Sequence, residues 1–243
     1  MNRAILLLIV FTIVITFAGC NNLDEKKNRI LHYTVDISKQ NIEFFLKNDN
    51  GEKFKTFRAL NEWLESRNKS LTFAMNGGMF KTDFSPQGLY IENGALISNI
   101  DSIYNGYGNF YLQPNGIFYI TNNNEGRITT TKNFINNNIK FATQSGPMLL
   151  INGKIHSAFN KGSANINIRN GVGILPNGHI IFAMSTDKIN LYDFAHYFLS
   201  LGCKDALYLD GVVSKTYLPV KGYNDLSGNF GVIIGETTEI NNQ

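Results

Sequence analysis

The fold of this chain is indicated most clearly by the stretch Gly88-Leu89-Tyr90-Ile91-Glu92-Asn93-Gly94-Ala95-Leu96-Ile97. A short run of strand-forming residues lies on each side of Asn93-Gly94. Asn and Gly both tolerate a positive φ angle, which the two-residue type I′ turn of a β-hairpin requires. The stretch therefore predicts a β-hairpin whose turn is Asn93-Gly94.

The same Asn-Gly step recurs along the chain, and strand-like runs flank several of its copies. This pattern predicts a hairpin-rich, mostly antiparallel protein. The steps begin at Asn50, Asn76, Asn93, Asn105, Asn115, Asn152, Asn170 and Asn177. The further predicted hairpins join 110–112 to 117–120, 148–151 to 154–155, and 173–175 to 179–182.

Two segments have the apolar spacing of amphipathic helices. Residues 56–67 place Phe57, Leu60 and Leu64 on one face. Residues 190–201 begin with an N-capping Asn190, carry an apolar stripe, and precede a glycine. With the hairpins, these segments predict an α+β fold: a single domain over 30–243, with a mostly antiparallel sheet and a few helices.

The N-terminus predicts export and lipid attachment. A basic Arg3 precedes an apolar run that is too short for a comfortable membrane span, and Ala18-Gly19-Cys20 follows it. These features indicate a lipoprotein signal peptide over 1–19, a lipid on Cys20, and a polar tether over 20–29. The alternatives are an ordinary signal peptide, or an uncleaved anchor with a coincidental cysteine. The lipoprotein interpretation places the domain on the outer face of the cell membrane, on the periplasmic or extracellular side.

Composition excludes several classes of protein. The net charge is +3 and the basic residues are scattered, which argues against a nucleic-acid partner. Beyond Cys20 the only cysteine is Cys203, so no disulfide is available within the domain. No His, Cys or Asp cluster has metal-ligand spacing, and we expect neither a metal nor another cofactor.

Two segments in the first part of the domain interrupt strand-like runs with polar residues and glycine. In Asn76-Gly77-Gly78, the glycines allow a ligand to approach the backbone amides, and the Asn amide both donates and accepts hydrogen bonds. Gln144-Ser145-Gly146 offers amide and hydroxyl donors at a strand end. Taken alone, the first segment is more typical of an ordinary tight turn, and the second does not distinguish a turn from a binding site.

Two later segments introduce charge. Arg169, before Asn170-Gly171, brings a permanent cation that binds carboxylate or phosphate in a bidentate way. Asp210 ends an apolar strand and precedes Gly211, where a carboxylate acts as acid, base or nucleophile. A solvated surface arginine and an Asx turn are the respective alternatives.

Taken together, these segments resemble the phosphodiester glycosidase domain family, in particular its bacterial, usually exported, branch. The family includes the enzyme that uncovers mannose 6-phosphate on lysosomal glycoproteins. That enzyme's branch carries Asp-Gly-Gly-Gly-Ser where this chain has Asp210-Gly211-Val212-Val213-Ser214, and the loss of two glycines stiffens the turn. The matching motifs are Asn76-Gly77-Gly78-Met79-Phe80, Ser145-Gly146-Pro147, Arg169-Asn170-Gly171-Val172-Gly173 and Leu209-Asp210-Gly211-Val212-Val213-Ser214.

The resemblance implies hydrolysis of a glycosyl 1-phosphodiester on the sugar side, which releases the sugar and leaves a phosphomonoester. In that reaction Asp210 would stabilise or attack the anomeric carbon, Arg169 with Lys215 would bind the phosphate oxygens, and a second carboxylate would come from Asp83 or Asp187. The expected partner is a carbohydrate or glycosyl-phosphate substrate. The alternative is a non-catalytic lipoprotein that binds glycans or sugar phosphates during envelope or exopolysaccharide assembly. The predicted substrate-binding residues are Asn76, Gly77, Gly78, Gln144, Ser145, Gly146, Asn170, Gly211, Ser214 and Lys215.

Overall fold

The computed structural model describes residues 29–240, which form three antiparallel sheets and two α-helices. The first sheet has the strand order β1 (Ile30–Val35), β12 (Ile180–Ser185), β11 (Asn170–Ile174), β13 (Ala206–Asp210), β9 (Met148–Ile151) and β10 (Lys154–Ile155). The second has the order β14 (Thr216–Tyr217), β3 (Lys69–Asn76), β15 (Ile233–Glu239) and β2 (Ile42–Phe45). The third has the order β5 (Ala95–Ser98), β4 (Tyr90–Glu92), β8 (Ile139–Ser145), β6 (Gly116–Thr121) and β7 (Gly126–Thr130).

The predicted hairpin at Asn93-Gly94 is confirmed. It joins β4 to β5, with Glu92 paired to Ala95, and both turn residues have positive φ angles of 49° and 79°. Hairpins also join β9 to β10 and β11 to β12, as the other Asn-Gly steps predict. Turn chemistry therefore specified these connections locally.

The hairpin predicted at residues 114–116 is wrong. Asn109–Tyr111 forms a short 3₁₀ helix instead of a strand, and β6 pairs with β7 and β8. The Asn115 side chain donates to the Phe110 carbonyl at 3.1 Å, and the Phe110 ring is buried. Because this local bond and the ring burial stabilise the bend, residues 110–112 do not join a strand ladder.

Both predicted helices are confirmed, with slightly shorter bounds. Helix α1 (Phe57–Glu65) begins where Thr56 Oγ1 accepts the Ala59 amide at 3.0 Å. Helix α2 (Leu191–Ser200) begins where Asn190 Oδ1 accepts the Asp193 amide at 2.8 Å. Each cap satisfies a backbone donor that the first helical turn leaves without a partner.

The three sheets share one aromatic core. Phe182 of the first sheet lies 5.2 Å, centroid to centroid, from Phe73 of the second and 5.8 Å from Phe118 of the third. All three rings are fully buried, and each contributes about 1.5–3 kcal/mol of burial free energy. The described fold is thus dominated by sheets, and the predicted α+β class overstated the part played by helices.

The predicted signal peptide, Cys20 and nearly all of the predicted tether lie outside the described residues. Within residues 29–240, no helix is both long and apolar enough to cross a membrane.

One edge of the structure gathers several strand ends. The carboxyl end of β13 lies beside the amino end of β11, because these neighbouring antiparallel strands run in opposite directions. The carboxyl ends of β3 and β8, from the other two sheets, join them through hydrogen bonds of Asn76 and Ser145. The residues at these ends are Asn76, Ser145, Asp210 and Asn170. We call this edge the site end.

Candidate active site

Asp210 lies at the centre of the site end. Its carboxylate is only 5% exposed at the end of β13. Oδ1 accepts the amides of Gly211 at 2.5 Å and Val212 at 2.9 Å, and Oδ2 accepts Asn76 Nδ2 at 3.2 Å. Burial raises the pKa of the Asp210 carboxyl above its ordinary value, and these hydrogen bonds oppose the rise. The site thus holds a buried acid whose charged form is partly compensated by fixed donors.

Asn76 is held in one orientation by its neighbours. Its Oδ1 accepts the Lys215 amide at 2.9 Å and Asn170 Nδ2 at 2.9 Å. Asn170 Nδ2 also donates to the Asn76 carbonyl at 2.9 Å. These two donors fix the amide oxygen, so the Asn76 NH₂ group faces Asp210. We call Asn76, Asn170 and Asp210 the Asn–Asn–Asp cluster.

The turn after Asp210 depends on a glycine. A Cβ placed on Gly211 would lie 1.4 Å from the Tyr208 hydroxyl, so no side chain fits there. Beyond it, Val212 is 93% exposed, and Ser214 Oγ donates to the Asp210 carbonyl at 2.9 Å. The same hydroxyl lies 3.4 Å from Asn170 Oδ1. The predicted Gly211 and Ser214 therefore shape the turn around the carboxylate.

Arg169 is fully buried next to this turn. Its Nη1 donates to the Tyr208 hydroxyl at 2.9 Å, its Nε to the Ile189 carbonyl at 2.7 Å, and its Nη2 to the Asn165 carbonyl at 2.9 Å. Within residues 29–240 no carboxylate forms an ion pair with it. This geometry differs from the bidentate phosphate clamp that we predicted, because the guanidinium donors point to protein acceptors.

Two residues of this site, Tyr208 and Asn109, were not predicted from the sequence. Tyr208 links Arg169 to the Gly211 turn, and burial raises the pKa of its hydroxyl to about 12. The Asn109 side chain lies close enough to the Tyr208 hydroxyl to oppose this rise in its pKa. Strand alternation could have identified Tyr208, because residues two apart in a strand point to the same face and Tyr208 lies two residues before the candidate Asp210 in β13.

The two glycines after Asn76 allow close packing of strand ends. Thr143 Oγ1 donates to the Gly77 carbonyl at 2.9 Å. Gly78 has a φ of 155°, and a Cβ there would lie 2.8 Å from Thr143 Oγ1. Both glycines are buried at the site end, and the close neighbour that they accommodate there is Thr143. The approach of a ligand to their amides stays a prediction.

The predicted donors of the Gln144-Ser145-Gly146 segment are used by the protein itself. Ser145 Oγ donates to the Leu209 carbonyl at 2.9 Å, which supports β13 just before Asp210. A Cβ on Gly146 would meet Asn115 Cβ at 2.6 Å. Ser145 and Gly146 therefore lie at the site end, where they hold β13 and Asn115 in place.

Gln144 faces the opposite side of β8 and fastens loops. Its Oε1 accepts the amides of Leu89 and Asp101, both at 2.9 Å. Its Nε2 donates to the Asp101 carbonyl at 2.8 Å and lies 3.3 Å from Thr131 Oγ1. Because both ends of the amide are occupied, Gln144 positions the loop at Asp101 and offers no free donor to a substrate.

Lys215 contributes its backbone more directly than its side chain. Its amide donates to Asn76 Oδ1, whereas its ammonium lies 2.5 Å from Asp225 Oδ2 and also bonds to Ser227. The hydrogen bond from Lys215 lowers the pKa of the Asp225 carboxyl. The ammonium that we predicted as a phosphate clamp is therefore already paired.

The two predicted second carboxylates are mostly exposed and have partners outside the Asn–Asn–Asp cluster. The Asp83 side chain is 67% exposed and lies 3.5 Å from Lys53 Nζ. The Asp187 side chain is 64% exposed and lies 3.8 Å from Arg29 Nε. Neither makes a hydrogen bond or ion pair with Asp210 or its described partners. Neither carboxylate shares the buried surroundings of Asp210, and a catalytic role for either one stays a prediction.

The described part of the chain contains no group of three or more His, Cys, Asp or Glu side chains placed to hold a metal ion. Cys203 is buried, and His156 is held by the Gln113 carbonyl at 2.9 Å. The absence of a cofactor stays a prediction.

Comparison with known proteins adds an independent finding. A profile described as phosphodiester glycosidase matches residues 69–234, a range that contains all four motif segments. The protein YigE of Escherichia coli (strain K12) is 38% identical over 189 residues, which cover 76% of this chain and 73% of that protein.

Solved structures resemble the fold as well. The catalytic domain of zebrafish N-acetylglucosamine-1-phosphodiester alpha-N-acetylglucosaminidase, auto-inhibited by its pro-peptide, matches with a TM-score of 0.58 at 14% identity, covering 85% of this chain and 81% of that one. A protein of Burkholderia pseudomallei matches with a TM-score of 0.55 at 11% identity, covering 85% of this chain and 73% of that one. At these identities the likeness establishes a shared fold.

Proposed function

We propose, on the premise that this chain belongs to the phosphodiester glycosidase family, that it hydrolyses a glycosyl 1-phosphodiester on the sugar side. The products would be a free sugar and a phosphomonoester. The observation that carries this proposal is the buried Asp210 carboxylate, oriented by Asn76 and by the amides of the following turn.

The environment of Asp210 suits chemistry at an anomeric carbon. Positive charge develops on the sugar ring as the bond to phosphate breaks. A carboxylate whose pKa is raised by burial is a better base and nucleophile than one in water. Asn76 and the turn amides orient the Asp210 carboxylate by hydrogen bonds, but these uncharged donors do not cancel its negative charge. We assign Asp210 to the sugar side of the scissile bond, as nucleophile or as the base for water.

The leaving group explains why one buried carboxylate is enough. A phosphate monoester departs as a stable anion, so it needs less protonation than the alcohol of an ordinary glycoside. The side chains of Asp83 and Asp187 are mostly exposed to water, in contrast to that of Asp210. We therefore propose that the reaction proceeds without a second carboxylate from these positions.

We assign Arg169 and Tyr208 a positioning role. Arg169 places a permanent positive charge behind the Tyr208 hydroxyl, and that hydroxyl lies directly over Gly211. A buried charge acts more strongly than one in water because the surrounding dielectric constant is low. The positive charge of Arg169 would attract an anionic group to the site end. Arg169 would not bind that group directly, because its guanidinium donors already bond to protein acceptors.

The location of the protein is part of the proposal. A lipid on Cys20 would hold the domain at the outer face of the cell membrane, where glycosyl phosphodiesters of envelope polymers are within reach. Mass spectrometry of the N-terminal peptide from purified membranes tests this point directly. A chain cleaved elsewhere, or a Cys20 without lipid, would contradict it.

The reaction itself is tested with the full chain in detergent and a panel of sugar 1-phosphodiesters. We expect release of reducing sugar from at least one of them, together with the matching phosphomonoester. We expect Asp210→Asn to lower this release by about 10²–10⁴-fold. A complete lack of turnover across the panel, or turnover that Asp210→Asn leaves intact, would overturn the proposal.

One observation favours a second candidate, a glycan- or sugar-phosphate-binding lipoprotein without turnover. The turn after Asp210 carries Val212 and Val213 where one branch of the family has glycines, and no second carboxylate touches the cluster in residues 29–240. Calorimetry separates the candidates. Binding of an anionic sugar without any turnover would favour the second, and turnover would exclude it.

A further inference from the structure

Exposed apolar side chains border the candidate active site. Ile100, Ile103, Tyr104 and Tyr107 lie on the segment after β5, and Val212 lies on the turn after Asp210. Tyr107 is fully exposed, and Val212 nearly so. Large exposed apolar groups that cluster on one surface mark a site of contact with a protein or a membrane. We call these five residues the apolar rim.

The rim belongs to the site end of the molecule. The segment continues into Asn109–Tyr111, and a Cβ on Gly146, directly after Ser145, would lie 2.8 Å from the Phe110 carbonyl. The Asn109 side chain lies close enough to the Tyr208 hydroxyl to oppose the rise in its pKa that burial causes. Both attachment points are therefore neighbours of the Asn–Asn–Asp cluster.

The chain enters the domain at the same end. Ile30, the first residue of β1, pairs with Ser185 at the end of β12. The Ser185 hydroxyl in turn accepts the Arg169 amide at 3.0 Å. Residues 20–28 span at most about 30 Å when fully extended. A lipid on Cys20 would thus keep the site end, and not the opposite edge, close to the bilayer.

We propose that the apolar rim docks onto the surface of the lipid bilayer. Ile100, Ile103 and Val212 would enter the boundary between headgroups and acyl chains, and Tyr104 and Tyr107 would lie at headgroup level, where tyrosine is enriched. The docked rim would present Asp210 to glycosyl phosphodiesters at the membrane surface. This inference rests on the proposed lipid anchor, but it does not depend on turnover.

The chemistry of the rim favours a bilayer over a sugar. Three of its five side chains are aliphatic and offer no flat ring on which a sugar could stack. A bilayer accepts aliphatic and tyrosine side chains together because it offers both an apolar interior and a wet interface. The chain between Cys20 and Arg29 is short, so a lipid on Cys20 would keep the rim close to the bilayer.

Depth-dependent fluorescence quenching tests the docking with the full chain. Trp63, the single tryptophan, is first replaced by phenylalanine, which costs no hydrogen bond because its Nε1 has no partner. A reporter is then introduced as Tyr107→Trp. The matched control is Val220→Trp, at an exposed aliphatic position beyond β14, which leads away from the Asn76 end of β3. Both proteins are reconstituted into phosphatidylcholine–phosphatidylglycerol vesicles with and without brominated acyl chains.

The proposal expects quenching at the rim alone. Emission from Tyr107→Trp should fall about twofold or more in brominated vesicles, because interfacial side chains reach the acyl boundary, and Val220→Trp should be unchanged. Equal emission from Tyr107→Trp in both vesicle types, equal quenching of both reporters, or failure of the protein to float with vesicles would overturn the docking. Because the readout is optical, the measurement tests docking even in a chain without hydrolytic activity.

A second measurement separates membrane docking from sugar binding. The double variant Tyr104→Ser and Tyr107→Ser should lose quenching of a Val212→Trp reporter. It should hydrolyse a water-soluble sugar phosphodiester as fast as the parent chain does. If the double variant instead weakens binding of the soluble sugar phosphodiester, the rim contacts substrate and the bilayer proposal fails.

Discussion

Asp83 and Asp210 form the same local turn in two different surroundings. Asp83 Oδ1 accepts the Ser85 amide at 3.0 Å, and Asp210 Oδ1 accepts the Val212 amide at 2.9 Å. Both are Asx turns, in which the carboxylate bonds to the backbone two residues later. Yet the Asp83 side chain is mostly exposed, whereas Asp210 is buried.

The two surroundings shift the acids in opposite directions. Hydrogen bonds from the Ser85 hydroxyl and amide lower the pKa of the Asp83 carboxyl to about 2, because water still solvates the charge. At Asp210 the loss of water outweighs the hydrogen bonds, and the pKa is raised. Burial, and not turn geometry, thus distinguishes a carboxylate suited to chemistry from one that only closes a loop.

Substitution of each acid by its amide gives the largest expected contrast. Asp210→Asn should lower turnover of a sugar phosphodiester by about 10²–10⁴-fold, because it removes the reacting carboxylate. It also places an NH₂ group against the fixed NH₂ of Asn76. Asp83→Asn should leave kcat/KM close to that of the parent chain.

Steady-state assays of both variants, with circular dichroism to verify folding, provide the measurement. Equal losses in the two variants would mean that the difference in burial has no catalytic meaning. A large loss in Asp83→Asn alone would assign the reacting carboxylate to the exposed turn.

A smaller effect is expected from filling the space beneath the Asp210 turn. Gly211→Ala should destabilise the fold by about 1–3 kcal/mol, because the new Cβ collides with the Tyr208 hydroxyl. Removal of that hydroxyl in the double variant with Tyr208→Phe should recover part of the loss. Urea unfolding of the parent, both single variants and the double variant measures the coupling. If the two substitutions change the free energy of unfolding by strictly additive amounts, the collision between the new Cβ and the Tyr208 hydroxyl does not contribute to the loss of stability.

The opposite pKa shifts predict opposite pH dependences of stability. The raised pKa of Asp210 means that the folded state favours the neutral acid, so its contribution to stability declines as pH rises above about 3.9, the unfolded value, towards the folded value. The lowered pKa of Asp83 means that its contribution is present above about 3.9 and is lost as pH falls towards about 2. Relative to the parent, Asp210→Asn should therefore gain stability with rising pH, and Asp83→Asn should gain it with falling pH.

Denaturant midpoints at closely spaced pH values between 2 and 7 check these slopes. The isosteric amide serves as the control at each position, since it cannot titrate. Parallel curves for the two variants would contradict the opposed shifts.

The smallest effect is expected at Lys215. Its ammonium is paired with Asp225, and exposed ion pairs contribute about 0–1 kcal/mol. Lys215→Ala keeps the backbone amide that orients Asn76, so kcat/KM should change by less than about threefold, a difference below 1 kcal/mol. Phosphodiester hydrolysis by Lys215→Ala and by the control Lys53→Ala, next to Asp83, tests this expectation. A loss of a hundredfold in Lys215→Ala alone would restore the ammonium as a phosphate ligand.

The sequence predicted what depends on neighbours in the chain. The Asn93-Gly94 hairpin and the Asn190 helix cap follow from a few adjacent residues, and both are confirmed. The convergence of Asn76 with Asn170 depends on the packing of two different sheets, which brings together residues 94 positions apart and which no local pattern encodes. The family resemblance identified these residues but gave no side-chain direction.

Side-chain direction accounts for most of the remaining differences. Strand alternation turns Gln144 towards the loop at Asp101 and Ser145 towards β13, although both were predicted to bind substrate. The sequence shows no acidic partner for Arg169, so we predicted that its guanidinium was free to bind phosphate. Its acceptors are uncharged, namely backbone carbonyls and a tyrosine hydroxyl, and a search for acidic neighbours does not find them. Asp83 and Asp187 stood near the motifs in sequence, but their turns face water.

The Gln144 amide has a consequence for how relatives of this protein diversify. It holds the start of the apolar rim segment through the main-chain groups of Leu89 and Asp101, which every amino acid except proline provides. Such an attachment does not depend on the side chains of the residues that it holds. Natural variation or directed evolution can therefore change residues 102–105 and 107 to suit another surface, while Ser145 and Asp210 keep their places. Gly106 is the exception, because a Cβ there would lie 2.3 Å from the Tyr111 ring.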